Sequence, residues 1–120
     1  MEPVTTSPLQ RFVDGLPWAA TITTPDADDP TILVANRKHS LLTGYKASEI
    51  LNKSPRMFKG PMTEKEVSTE IKEEMKLYHF SNFEVTNHRP DGQPYRIQLT
   101  IVGVMIDGQR YYCALKKPIV

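Results

Sequence analysis

Residues 36–61 read NRKHSLLTGYKASEILNKSPRMFKGP, and this stretch decides the fold. Asn36 is a cap residue ahead of a short apolar-periodic run that Gly44 ends. A second helix start follows at Ser48 or a neighbour, and Pro55, Gly60 and Pro61 break the chain again. Several short helices in series, none long enough to stand alone, are expected to wrap around something rather than form a bundle.

Upstream, residues 19–24 and 31–35 read as strands, separated by the turn-forming cluster Pro25-Asp26-Ala27-Asp28-Asp29-Pro30. Residues 5–15 form a candidate lead-in helix with Leu9, Phe12 and Val13 on one side, stopped by Gly15 and Pro17. Downstream, Thr63 opens the one long helix. Thr63-Glu64-Lys65-Glu66 has the form of a capping box, and Val67, Ile71, Met75 and Tyr78 supply an apolar stripe with charged residues on the other side. The period then changes to two. Strands through Phe83–Asn87, Tyr95–Ile101 and Tyr111–Leu115 are joined by the turns at Pro90-Asp91-Gly92 and Asp107-Gly108. Five strands with a helical excursion between the second and third predict an α+β fold, with short helices and one longer helix packed on one face of an antiparallel sheet.

The bulk properties narrow the function. A chain of 120 residues with 39% apolar content buries one modest core. Fifteen basic residues stand against fourteen acidic ones, scattered rather than striped, which disfavours nucleic acid as a partner. No basic leader and no bilayer-length apolar run is present, so a soluble, cytoplasmic protein without membrane contact is expected. Cys113, the lone cysteine, falls in a strand and reads as a structural apolar residue. His39, His79 and His88 have no metal-ligand spacing, and Asp26, Asp28 and Asp29 lack the glycine and terminal glutamate of a calcium loop. No nucleophile–base pair, phosphate loop or paired-carboxylate motif can be placed, so an enzyme is not expected.

Several separated segments resemble, in one register, the light-oxygen-voltage (LOV) branch of the PAS sensory domains. Ile22-Thr23-Thr24-Pro25-Asp26 is similar to that family's first strand and turn, Ile32-Leu33-Val34-Ala35-Asn36 to its second strand, and Asn87-His88-Arg89-Pro90-Asp91-Gly92 to its Asn-x-Arg-x-Asp-Gly hairpin. The resemblance runs from about residue 16 to 119, which divides the chain into a lead-in segment, 1–15, and a PAS (LOV-like) domain, 16–120. It implies the PAS fold, a five-stranded antiparallel sheet cradling short helices.

In that family the motif Asn-Cys-Arg-Phe-Leu-Gln lies beside flavin mononucleotide, and blue light drives the thiol onto the ring. Here Ser54-Pro55-Arg56-Met57-Phe58-Lys59 occupies those positions, so the resemblance implies that no cysteinyl adduct forms. Arg56 matches a phosphate-binding arginine, Lys72 replaces another, and Asn87 matches one of two asparagines on the flavin's pyrimidine edge. Ile97 replaces the second asparagine, and Lys116 replaces the glutamine that senses the ring. Each lost amide contact to a buried polar edge costs about 1–3 kcal/mol. No cofactor is therefore expected, with flavin mononucleotide (FMN) as the alternative. Arg56, Lys72, Asn87 and Lys116 are the candidate pocket residues. Arg56 and Lys72 also read as surface cations, with glutamates near Lys72 on its helix, and Asn87 as a residue satisfying backbone groups. The floor of the pocket is expected from Ile97, Leu99, Ile101 and Val85. Lys116 faces the interior by its alternation with Tyr112 and Ala114 and is expected to snorkel past the end of the sheet, with a carboxylate partner or an anionic ligand as the alternatives.

Two functions follow. The first is a non-catalytic sensory or regulatory module in signal transduction, working as a homodimer through the outer sheet face and the N-terminal helix, or through an effector domain or protein partner. Arg96, Gln98, Thr100, Val102, Tyr111, Cys113 and Leu115 form the mixed patch for that contact. The second is a sensor that binds a small molecule or a non-covalent flavin.

Overall fold

A computed structural model describes residues 7–120 of the chain. Ser7 caps α1, Pro8–Asp14, by accepting from the amide of Gln10, with proline in the first turn where its missing amide is harmless. The part of the anticipated helix before Ser7 lies outside the described residues. Strands β1, Ala19–Thr23, and β2, Ile32–Ala35, form an antiparallel pair. Between them Asp26 builds its own turn, its Oδ1 accepting from the amides of Asp28 and Asp29.

The stretch that decides the fold forms α2, Arg37–Thr43, α3, Ala47–Ile50, and a 3₁₀ turn at Pro55–Phe58. Asn36 caps α2, and Gly44 ends it in the left-handed region at φ 83°. A side chain there would be strained as well as close to Pro90. Helix α4, Lys65–Tyr78, follows, and then β3, Phe80–His88, β4, Pro94–Ile106, and β5, Gln109–Pro118. The turn between β4 and β5 has positive φ at both Asp107 and Gly108, as a tight hairpin requires. The sheet order is β2-β1-β5-β4-β3, with every pairing antiparallel.

Asn36 does more than cap. Its Oδ1 accepts from the amides of Ala20 and His39, and its Nδ2 donates to the carbonyls of Val13 and Trp18. One buried amide thus fastens α1, β1 and α2 together. The core divides by face. Val13, Ala20, Ile22 and Cys113 are buried between α1 and the outer face, while Ile32, Ala35, Ile50 and Phe58 fill the side under the short helices.

The start of α4 departs from the sequence reading. Thr63 forms no capping box: its hydroxyl donates to the carbonyl of Thr86 and accepts from the amide of Gly60. Glu64 is the N-cap, and its carboxylate reaches across to β3, accepting from Thr86 and from Arg96. Edge strand β3 offers a free amide and carbonyl at Thr86, and these compete successfully for both side chains. Tyr78, expected on the buried stripe, is 68% exposed because it falls on the last turn, beyond the edge of the sheet.

Candidate functional site

Between the inner sheet face, the 3₁₀ turn and α4 lies a cavity of about 140 Å³. Arg56, Lys72, Asn87 and Lys116, drawn from the 3₁₀ turn, α4, β3 and β5, all line it. Leu99 and Ile101 form its floor with Ala114, Thr21 and Tyr112. Ile97 and Val85, expected in that floor, are buried but lie outside it. They pair with each other two residues along the ladder from Leu99 and do not line the cavity, although Asn87, two residues further along β3, does.

Pro55 enters at the first position of the 3₁₀ turn, where Ser54 accepts from the amide of Arg56. The proline's fixed φ suits that position, and its ring lines the cavity where a thiol is absent. Cys113 sits on the opposite face, 2% exposed against α1, and burial pushes its thiol up to about 11. Neither residue brings a thiolate to the cavity.

Lys116 does not snorkel. Its residue is 4% exposed, its Nζ has no hydrogen-bond partner among the described residues, and it lies 3.6 Å above the ring centroid of Phe58. Alternation along β5 aims it inward, and the sheet continues past it to Pro118, so the stem cannot reach water at the sheet end. Burial pushes the ammonium down to about 7. A desolvated cation over an aromatic face gains about 2 kcal/mol, less than the several kcal/mol that burying the charge costs. His39 packs edge-on against Phe58, their ring centroids 5.4 Å apart, with neither ring nitrogen partnered among the described residues. Burial first and the charge of Lys116 second take it down to about 2, so it is neutral.

The mouth is cationic. Arg56 is exposed and donates to the carbonyl of Asp28 at 2.8 Å, which joins the 3₁₀ turn to the β1–β2 loop. Lys59 is pulled below its ordinary range by burial and by the neighbouring charges of Lys72 and Arg56. Lys72 makes no ion pair among the described residues, whereas Lys76, one turn on, pairs with Asp28 at 2.8 Å. The glutamates near Lys72 on its helix thus do not engage it. Phe58 and Lys59 were not singled out in the sequence. Their place in the Ser54–Lys59 stretch, aligned with the family motif that lies beside the cofactor, was the available signal.

Comparison with known proteins agrees with this geometry. The family described as PAS domain matches residues 19–116. A blue-light-activated histidine kinase of Brucella anthropi is 30% identical over 95 residues, covering 79% of this chain and 19% of that protein. The Protein TWIN LOV 1 of Arabidopsis thaliana is 26% identical, covering 72% of this chain and 22% of its own. A blue-light photoreceptor of Listeria monocytogenes is 29% identical, covering 76% and 36% respectively. The chain therefore spans about a third or less of these curated relatives. Among solved structures, a light-oxygen-voltage domain from work on a flavin analogue superposes with a TM-score of 0.80 at 22% identity, covering 92% of this chain and 83% of that one. The PAS domain of the fruit-fly ELK potassium channel superposes at 0.78 with 21% identity, covering 91% and 92%. These two likenesses bear on fold. A family match over most of the chain agrees with the five-stranded antiparallel sheet and the run of short helices around one cavity: this chain belongs to the PAS domain family.

Proposed function

We propose that this chain is a non-catalytic sensory module of signal transduction that passes a change in its inner cavity to its outer face without forming a cysteinyl–flavin adduct. One observation carries the reading. Strand β5 presents Tyr112, Ala114 and Lys116 to the cavity, and the alternate residues Tyr111, Cys113 and Leu115 to the cluster under α1. A shift of β5 that accommodates something at Lys116 moves the bed on which α1 rests. The 16–120 unit is the sensor in this reading, and the 1–15 segment, which includes α1, is its lead-in. A cytoplasmic setting belongs to the same proposal, and no helix among the described residues is long and apolar enough to cross a membrane.

The output surface needs one revision. Cys113 is buried, and Val102, Tyr111 and Leu115 pack against the cluster that α1 covers. Arg96, Gln98 and Thr100 instead join Asn82 and Glu84 in a polar ladder. The contact for a homodimer or an effector is therefore α1 itself, through Phe12, with the rim of Tyr111 beside it. Sedimentation and light scattering test this: Phe12→Glu and Tyr111→Glu should each weaken self-association about tenfold or more. Wild-type association in both variants would remove this surface from the proposal.

Non-covalent FMN is the second reading, favoured by Arg56, Lys72 and Asn87 lining one cavity. The residues as arranged do not fit it. A cavity of about 150 Å³ takes a single benzene, and the flavin ring system has three fused rings. The absorption spectrum of the purified protein discriminates: a flavin band near 450 nm would favour this second reading. Pro55→Cys alone should show no light-driven bleaching, and bleaching would overturn the pocket argument.

A further inference from the structure

The strongest unexplained feature is the ammonium of Lys116, buried, without a partner among the described residues and aimed into a cavity that has apolar walls. The two carboxylates at the cavity belong to Asp26 and Asp28, on the exposed β1–β2 loop, and both are engaged. Asp26 holds its own turn, and Asp28 pairs with Lys76. A lysine in such surroundings either gives up its proton or is held charged by an opposite charge from outside the chain. One buried cation asks for one negative charge at its depth, since a second placed there, away from the mouth cations, would lie among apolar walls. A carboxylate suits the three donors of an ammonium, offering two acceptor oxygens with about four lone-pair sites. Met75, Leu99, Ile101 and Phe58 would surround the rest of the ligand, and the volume limits it to about one ring. Arg56, Lys59 and Lys72 at the mouth draw anions inward.

We infer that the inner cavity binds a small, single-ring organic monocarboxylate whose carboxylate pairs with Lys116. This deepens the sensory proposal by naming the ligand class of the same cavity. The contact lies at the position of Lys116 and is independent of the mouth cations, which serve only to attract.

Titration calorimetry and amide NMR on the full 120-residue chain, with sodium benzoate, benzamide and inorganic phosphate as probes, test it. Benzoate should saturate one site and bind about 30-fold or more tighter than its neutral isostere benzamide. Lys116→Met, which keeps the unbranched stem but for its last atom and loses the charge, should abolish that preference while the amide spectrum stays folded. Ala114→Met, which fills the cavity and leaves the ammonium in place, should block benzoate. Equal binding of benzoate and benzamide would overturn the inference, as would a preference that survives in Lys116→Met. Competitive displacement of benzoate by phosphate would overturn it too, by moving the site to the mouth. Failure of all three probes to bind would sink the ligand assignment alone, because the Phe12→Glu association assay reads a different surface and still reports on the sensory proposal.

Discussion

Lys116 and Asn36 show how differently two buried polar residues behave. Each polar group of the Asn36 side chain has partners, and all of them are backbone groups, of which the amide of His39 and the carbonyl of Val13 have a further backbone bond. Asn36→Ala should therefore lower stability by about 3 kcal/mol, read as a reduced urea midpoint with unchanged slope. Lys116 has no such partners. Its pKa lies at about 7 in the fold against 10.5 in the open chain, so above pH 7 the unfolded state holds more protons. Stability should rise with pH from about 7 towards 10.5, opposite in sign to a paired lysine. Lys116→Met should flatten that rise and stabilise the protein at pH 7 by about 1–4 kcal/mol. A less stable Met variant would show that the charge is compensated within the chain.

Among the elements, α4 is held at its start by a clasp rather than by its own cap. Burial works against ionisation of Glu64, but the amide of Thr86, the guanidinium of Arg96 and the hydroxyl of Thr86 outweigh it and take the carboxyl down to about 2. The ordinary value is 4.5, so the clasp's contribution is complete above that pH and lost as the pH falls towards 2. Glu64→Gln should lower stability by about 1 kcal/mol at pH 7, a figure discounted for the part of the carboxylate that water reaches, and should remove this acid dependence. Helix α1 depends on its docking. Seven residues cannot hold a helix alone, and Val13, with no exposed surface, is its main anchor. Val13→Ala should cost about 2 kcal/mol in α1 docking, and amide exchange should speed in α1 before it does in β4 and β5. Uniform acceleration across the sheet would mean that α1 does not detach separately.

At the scale of the whole molecule, β5 is shared by two cores. It pairs with β1 on one side and β4 on the other, so neither core can be repacked without the other sensing it. The order of elements was legible in the sequence. Period-two alternation and the Asp107-Gly108 turn fixed the meander, while Asn36 and Gly44 marked α2 by backbone chemistry that acts over a few residues. The candidate residues Arg56, Lys72, Asn87 and Lys116 were also legible, because a shared register with a known family places inward positions. The clasp at Glu64 was not. The nearest neighbours in sequence made Thr63 a cap, and only the arrival of edge strand β3 offered it and Glu64 better partners. Nor was the burial of the outer patch legible, since nothing in Cys113 or Leu115 says that α1 folds back over them.

The sequence by itself determined the strands, the turns, the absence of a thiol at Pro55 and the inward direction of Lys116, because these follow from local sterics and from alternation along one strand. Only the tertiary structure decided that Lys116 is buried against Phe58 with no counter-charge among the described residues and that α1 occupies the outer face. Both depend on which surfaces meet across distant segments, and desolvation has no local signature.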